Sequence, residues 1–213
     1  MSEYIYPYNN FEAGIDESNR GGLIGSVVAA CVVLKIPETD DDLKIYKQIK
    51  DSKKLSKKKR NELSIYIKKN ALTYGIGIST KDEIDNINIL KATMKAMYRA
   101  TDAAYKNYKF KKILVDGPYF NTYIPPGENS DFIYHECINK GDSIYTSIAA
   151  ASILAKEQHN DNIHELVNKH NELEKYDLIN NHGYATKKHL DAIKEFGITD
   201  LHRKSFAPCK KYI

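Results

Sequence analysis

Residues 24–34, IGSVVAACVVL, form an apolar run rich in β-branched side chains. A strand built from such a run has no polar face for water and needs cover on both sides. The run follows a glycine-punctuated turn, Asn19, Arg20, Gly21 and Gly22. Before that turn, residues 11–15 lead into the acidic pair Asp16-Glu17. The pattern predicts a strand, a turn and a second strand, joined as a hairpin.

The rest of the chain supplies the cover. Ser56 precedes a helical pattern with Leu63, Ile67 and Ala71, and residues 72–79 alternate as a third strand. Across 81–108, Ile84, Ile87, Leu90, Met94, Met97, Thr101 and Ala104 make one amphipathic stripe, which puts both methionines in the core. Residues 112–115 form a short strand ending at Asp116-Gly117-Pro118, and 119–130 form a loop. Residues 131–138 make a fifth strand, and 143–170 a long helix or helix pair with a small-residue segment at 149–152. A loop at 180–183, a helix at 186–196 and an irregular basic tail complete the chain. Hairpin-linked strands followed by strands separated by helices predict an α/β fold, a mixed sheet with helices on both faces.

With 213 residues, the chain suits one domain or one domain with an appendage. The expected division is an N-terminal extension over 1–12 and one domain over 13–213, whose end, from about 171, is a small helical part. No apolar stretch reaches membrane-spanning length, and residues 1–12 lack the basic and apolar regions of a secretory signal. Three scattered cysteines, Cys31, Cys137 and Cys209, suit neither a disulfide framework nor a thiolate metal site. A reducing, cytoplasmic setting is expected.

The formal net charge is only +4, but it is unevenly placed. Between residues 43 and 70, eleven Lys and Arg stand against two acids, a local net of +9 that leaves −5 elsewhere. This asymmetry fits either a polyanionic partner on one face or a solvated lysine-rich helix. The acids suggest more. Asp16-Glu17 and Asp116 end predicted strands, and Asp142 follows the fifth. Carboxylates gathered at neighbouring strand ends repel one another unless divalent cations intervene. Hard oxygen donors without a Cys or His cluster favour Mg²⁺ or Mn²⁺. On spacing alone, any one of these acids is more often a helix cap, a turn residue or a salt-bridge partner than a metal ligand.

The surrounding words narrow the choice. GIDESNRGGLIGSVVAACVVL from Gly14 resembles the opening of the ribonuclease HII family. DSKKLSKKKRNEL from Asp51, ILVDG from Ile113, KGDSIYTSIAAASILAK from Lys140, HGYATKKHLDAI from His182 and HRKSFAP from His202 resemble its later blocks, in the same order. The resemblance implies a ribonuclease H-like fold, a five-stranded mixed sheet flanked by helices. It implies an endonuclease that cuts the RNA strand of RNA–DNA hybrids and cuts at ribonucleotides embedded in duplex DNA, leaving 3′-hydroxyl and 5′-phosphate ends. Asp16, Glu17, Asp116 and Asp142 match the family's catalytic acids, which hold two Mg²⁺ or Mn²⁺ ions. Cancelling those four charges would raise the net presented to substrate to roughly +8.

Further site residues follow from the same resemblance. The family reads the ribonucleotide with a Gly-Arg-Gly loop, matched here by Asn19, Arg20 and Gly21. Asparagine tolerates positive φ, so the loop geometry can survive, while the added side chain is expected either to crowd the minor groove or to make a new contact. Tyr184 matches a junction-sensing tyrosine, whose ring can stack on a sugar or base edge. Lys53 and Lys54 match a phosphate-contacting segment, and Lys187, His202 and Arg203 are weaker candidates for backbone contacts. Phosphate contacts give affinity and register, so little base-sequence preference is expected. The histidines are expected on surfaces or in hydrogen bonds. The expected state is a monomer without a sliding-clamp motif. The alternatives are a hybrid-preferring, ribonuclease HIII-like specificity and a non-catalytic hybrid-binding protein.

Overall fold

The computed structural model describes residues 11–127 and 131–213. The expected extension over 1–12, with its tyrosines at 4, 6 and 8, falls almost wholly outside them. Five strands, β1 (Glu12–Ser18), β2 (Val27–Val33), β3 (Thr73–Ser79), β4 (Lys112–Asp116) and β5 (Tyr134–Ile138), form one sheet in the order β3-β2-β1-β4-β5. β1, β2 and β3 pair antiparallel, whereas β1–β4 and β4–β5 pair parallel. The sheet is therefore mixed, as expected. β1 starts one residue before the expected domain boundary.

Helices cover both faces. α1 (Asp40–Tyr46) precedes α2 (Lys57–Asn70), which Ser56 caps by accepting from Lys59 N. α3 (Lys81–Ile87) and α4 (Ile89–Asn107) correct the expected single helical region. Asn88, at φ +68°, breaks it and caps α4 through its side chain. The break also turns Leu90 outward, at 42% exposed. α4 packs with Ile15, Ala29, Cys31, Val33, Ile113 and Val115 on one sheet face. α5 (Thr146–Lys169) and α2 cover the other, over Ala30, Val32 and Leu34.

Small residues set how close these layers come. A Cβ at Gly14 would lie 2.2 Å from the Ser147 carbonyl carbon of α5, and one at Gly77 would lie 1.9 Å from Ala96 O of α4. Ala149, Ala150, Ala151 and Ser152 are all buried against the sheet, so the small-residue segment packs as expected. After α5, α6 (Leu178–Asn181) and α7 (Lys187–Phe196) build the small helical end. Part of the expected loop at 180–183 is thus helical. This end forms its own apolar cluster, in which Leu173, Tyr176, Ile193 and Cys209 meet Leu23, Ile24 and Ile163.

The expected hairpin forms, since β1 and β2 are consecutive and pair antiparallel, but its connection is longer than a simple turn. The connection runs over eight residues, 19–26, and β2 begins only at Val27. Gly22 bridges to Tyr184 and Ile24 to His202, so this loop is stitched to the helical end. No helix among the described residues is long and apolar enough to cross a membrane.

Candidate active site

The parallel pairing of β1 and β4 decides where the acids meet. Ile15 lies opposite Val115, so Asp16 and Asp116 follow side by side at the carboxyl ends of neighbouring strands. Strand alternation sends Asp16 to the α5 side and Glu17 to the α4 side. Asp116 Oδ1 accepts from Gly141 N at 2.6 Å, which ties β4 to the 3-10 turn Gly141–Ser143 that carries Asp142. Lys140 enters that turn in the left-handed conformation, at φ +57°.

The electrostatics show the crowding. Burial pushes the Asp16 carboxyl well above its usual range, and the charges of Glu17 and Asp116 add to it. Burial also raises Glu17, opposed by Arg20, whose Nη1 lies 3.1 Å from Glu17 Oε1. Asp142 is raised by burial and then by Asp116 and Asp51. These are carboxylates short of positive charge. Among the described residues no three Asp, Glu, His or Cys side chains already surround one point as a finished cage. The donors are nevertheless hard oxygens in mutual repulsion, a set that fits Mg²⁺ or Mn²⁺ and would be drawn together by it.

A cavity of about 420 Å³ opens beside the acids, lined by Asp16, Glu17, Arg20, Lys53, Lys156 and Tyr184 among others. The structure thus places Asn19, Arg20, Gly21, Lys53 and Tyr184 around one pocket with two of the acids. A larger cavity, of about 680 Å³, lies behind the 19–26 loop and is lined by none of the four acids. We therefore assign the chemistry to the smaller one.

Lys53 is exposed at the rim. Burial of its ammonium works against the charge, but Asp16, Asp142 and Asp51 outweigh it and raise its pKa. Ser52 Oγ meets Ser152 Oγ at 3.0 Å, which fixes the Lys53 segment to α5. Arg60 holds the same segment through Ser52 O and Leu55 O, and pairs with Glu157 at 2.6 Å. Lys54 is exposed with Nζ 3.8 Å from Asp51, and Lys187 is exposed at the start of α7.

Asn19 takes φ +71° with its side chain turned inward, leaving the residue 1% exposed. Nδ2 donates to Ile24 O at 3.2 Å and to Ser26 O at 2.8 Å. Of the two expected outcomes, the new contact is the one found, and it is internal. Above the pocket, Lys156 Nζ lies 5.0 Å from the centre of the Tyr184 ring, and His159 meets that ring edge-on at 6.1 Å. Burial lowers the Lys156 pKa to about 8, helped by the charges of Arg60 and Lys53.

Two expected phosphate contacts are corrected. His202 and Arg203 are both fully buried, so neither side chain reaches a nucleic acid. His202 Nδ1 accepts from Thr199 N at 3.0 Å, which leaves its proton on Nε2. Nε2 then donates to His189 Nε2 at 3.2 Å, and His189 Nδ1 donates to Tyr184 O at 3.0 Å. Two neutral histidines thus form a one-way hydrogen-bond chain that holds the Tyr184 backbone. Arg203 holds the 19–26 loop instead. Sequence reasoning missed Lys156 and Ser152. Their spacing was a usable signal, since both lie on one helical face with His159 inside an otherwise alanine-rich stretch.

Comparison with solved structures identifies the fold. The ribonuclease H2 of Pyrococcus horikoshii superposes with a TM-score of 0.68 at 22% identity, covering 94% of this chain and 96% of that one. The Mn²⁺ complex of Bst-RNase HIII gives 0.67 at 18%, covering 95% of this chain and 68% of that one. The ribonuclease HII of Archaeoglobus fulgidus, solved in complex with PCNA, gives 0.67 at 24%, covering 91% and 93%. The fold is ribonuclease H-like.

Sequence comparison narrows this further. The Ribonuclease HII family model matches residues 13–209. Ribonuclease HII of Bacteroides thetaiotaomicron is 43% identical over 205 residues, 95% of this chain and 94% of that protein. That of Neisseria meningitidis is 41% identical over 201 residues, 94% of each. The chain belongs to the ribonuclease HII family and is an endonuclease, a hydrolase of phosphodiester bonds.

Proposed function

We propose that this enzyme hydrolyses the RNA strand of RNA–DNA hybrids and cuts at ribonucleotides embedded in duplex DNA, leaving 3′-hydroxyl and 5′-phosphate ends. The observation that carries the reading is one pocket that combines Asp16 and Glu17, beside Asp116 on the neighbouring strand, with the 19–21 loop and Tyr184. Asp16, Glu17, Asp116 and Asp142 would hold two divalent ions. Such ions supply water activation and charge stabilisation at the phosphate. Lys53 and Lys156, on the α5 side, offer cations to the nucleic-acid backbone. The Arg20 and Gly21 amides would read the 2′-hydroxyl, which is both donor and acceptor. Tyr184, held from behind by the histidine chain, presents its ring to the sugar next to the cut.

The test is cleavage of a duplex carrying one ribonucleotide, compared with a long hybrid, in Mg²⁺ or Mn²⁺. Both are expected to be cut, and Asp116→Asn should lower the rate by at least a thousandfold without unfolding the protein. Cleavage of the long hybrid alone would favour a ribonuclease HIII-like specificity. Binding without cleavage of either would overturn the reading.

A further inference from the structure

The 19–26 loop is gripped by a side chain 178 to 184 residues away in sequence. Arg203 Nε donates to Gly25 O at 2.9 Å, Nη1 to Arg20 O at 3.0 Å and Nη2 to Asn19 O at 2.8 Å. Its backbone N–H donates to Leu23 O at 2.8 Å, and its guanidinium lies 5.0 Å over the Phe206 ring. Burying a guanidinium is costly, and a carboxylate is the usual partner that offsets it. Here the three side-chain hydrogen bonds go to main-chain carbonyls of a single loop. Such an arrangement gains orientation more than charge compensation.

In a trans peptide the carbonyl of one residue and the N–H of the next point in opposite directions, and the described chain has no cis bonds. With Asn19 O and Arg20 O drawn onto Arg203, the N–H groups of Arg20 and Gly21 must point away from it. The same loop shows the rule at work. Ile24 O turns toward Asn19 Nδ2, and Gly25 N–H points the other way, to Leu201 O at 3.3 Å. Arg20 and Gly21 line the pocket with Asp16 and Glu17, whereas Arg203 lies fully inside the protein.

We infer that Arg203 is the positioning residue for ribonucleotide recognition: by holding the loop carbonyls inward, it aims the Arg20 and Gly21 amides at the 2′-hydroxyl. The inference rests on the proposed function. It predicts a defect confined to sensing the 2′-hydroxyl, leaving general duplex binding intact. Lysine at 203 would keep the charge but lacks the planar fork that spans three carbonyls.

The experiment uses Arg203→Lys in the full chain with two duplexes of one sequence, one carrying a single ribonucleotide and one wholly DNA. The first is the substrate, and the second is a competitive inhibitor. The variant should lose at least tenfold in kcat/KM on the first while its inhibition constant for the second stays within twofold. Unchanged kcat/KM, or parallel weakening of both, would overturn the inference and leave Arg203 a purely structural residue. If Arg203→Lys does not fold, Gly21→Pro deletes one of the aimed donors at a position where a Cβ meets nothing within 4 Å. It carries the same expectation and the same refutation. A wild-type enzyme that does not cut the first duplex fails the functional reading itself, and that outcome is distinct from any failure of the variants.

Discussion

Replacing Asn19 with glycine separates a side chain that obstructs substrate from one that braces the loop. Nδ2 makes two hydrogen bonds to loop carbonyls, at 3.2 and 2.8 Å. Each contributes about 1 kcal/mol net, so their loss costs about 2 kcal/mol. Glycine adds about 0.7 kcal/mol through its freer unfolded chain. Relief of the left-handed φ of +71° returns about 0.5–1 kcal/mol. Removing the buried Oδ1, which has no hydrogen-bond partner among the described residues, returns about 1 kcal/mol. The balance is a destabilisation of about 1 kcal/mol for Asn19→Gly. Asn19→Ala keeps the strained φ with a less tolerant residue, so it loses about 2 kcal/mol. For a chain of this size these correspond to falls in Tm of about 2–4 °C and about 4–8 °C.

A second mutation sharpens the test. A Cβ at Gly22 would lie 1.8 Å from Asn19 Oδ1, so Gly22→Ala clashes in the wild type and finds room once Asn19 is glycine. The double-mutant cycle should show a favourable coupling of about 1–3 kcal/mol. Cleavage of the single-ribonucleotide duplex should fall severalfold in Asn19→Gly, because the loop loses a brace. A gain in cleavage with unchanged Tm, or additive behaviour in the cycle, would refute the bracing role and restore the view that the side chain crowds the groove.

Two further predictions concern pH. Burial, followed by the charge of Lys156, lowers His159 to about 3, whereas an unfolded histidine titrates near pH 6.5. Between those values the unfolded state binds the extra proton, so this contribution to stability is lost as pH falls, at about 1.4 kcal/mol per pH unit. The buried, raised carboxylates act in the opposite sense. The histidine term is therefore read from His159→Gln, which should lose about 1.5 kcal/mol less than wild type between pH 6.5 and 5 in urea unfolding; equal losses would contradict it. Lys156, with a pKa of about 8, gives up its charge above that pH. KM for the ribonucleotide duplex should rise several-fold between pH 8 and 9.5 in the wild type but stay flat in Lys156→Arg, and identical profiles would remove Lys156 from the binding surface.

Much of the sheet was legible in the sequence because its signals are local. The apolar 24–34 run, the alternation at 72–79 and the small residues at 149–152 each depend on near neighbours, and each matches an observed element. The break at Asn88 was missed because the apolar stripe continues across it, and a stripe does not reveal a single residue at positive φ. Lys53, Asn19, Arg20, Gly21 and Tyr184 come together as the motifs suggested. His202 and Arg203 have the composition of a basic surface word, HRK, but the chain folds them inside. A polar residue's burial depends on partners that lie far away in sequence.

The inventory of groups is legible in the sequence. It comprises three hard-oxygen acids at strand ends and a fourth just after a strand, a lysine-rich segment, an Asn-Arg-Gly loop and ordered words that mark a family. Which of these meet, and what each does, follows from how the elements pack. Parallel pairing of β1 with β4 sets Asp16 beside Asp116, although 100 residues separate them. The docking of the helical end onto the 19–26 loop turns Arg203 from a presumed phosphate contact into a clamp, and the two histidines into a support for Tyr184. The physical reason is the same in both cases. Residue type sets what a group can bind, but long-range strand pairing and the burial of hydrogen-bonding groups decide which partner it has.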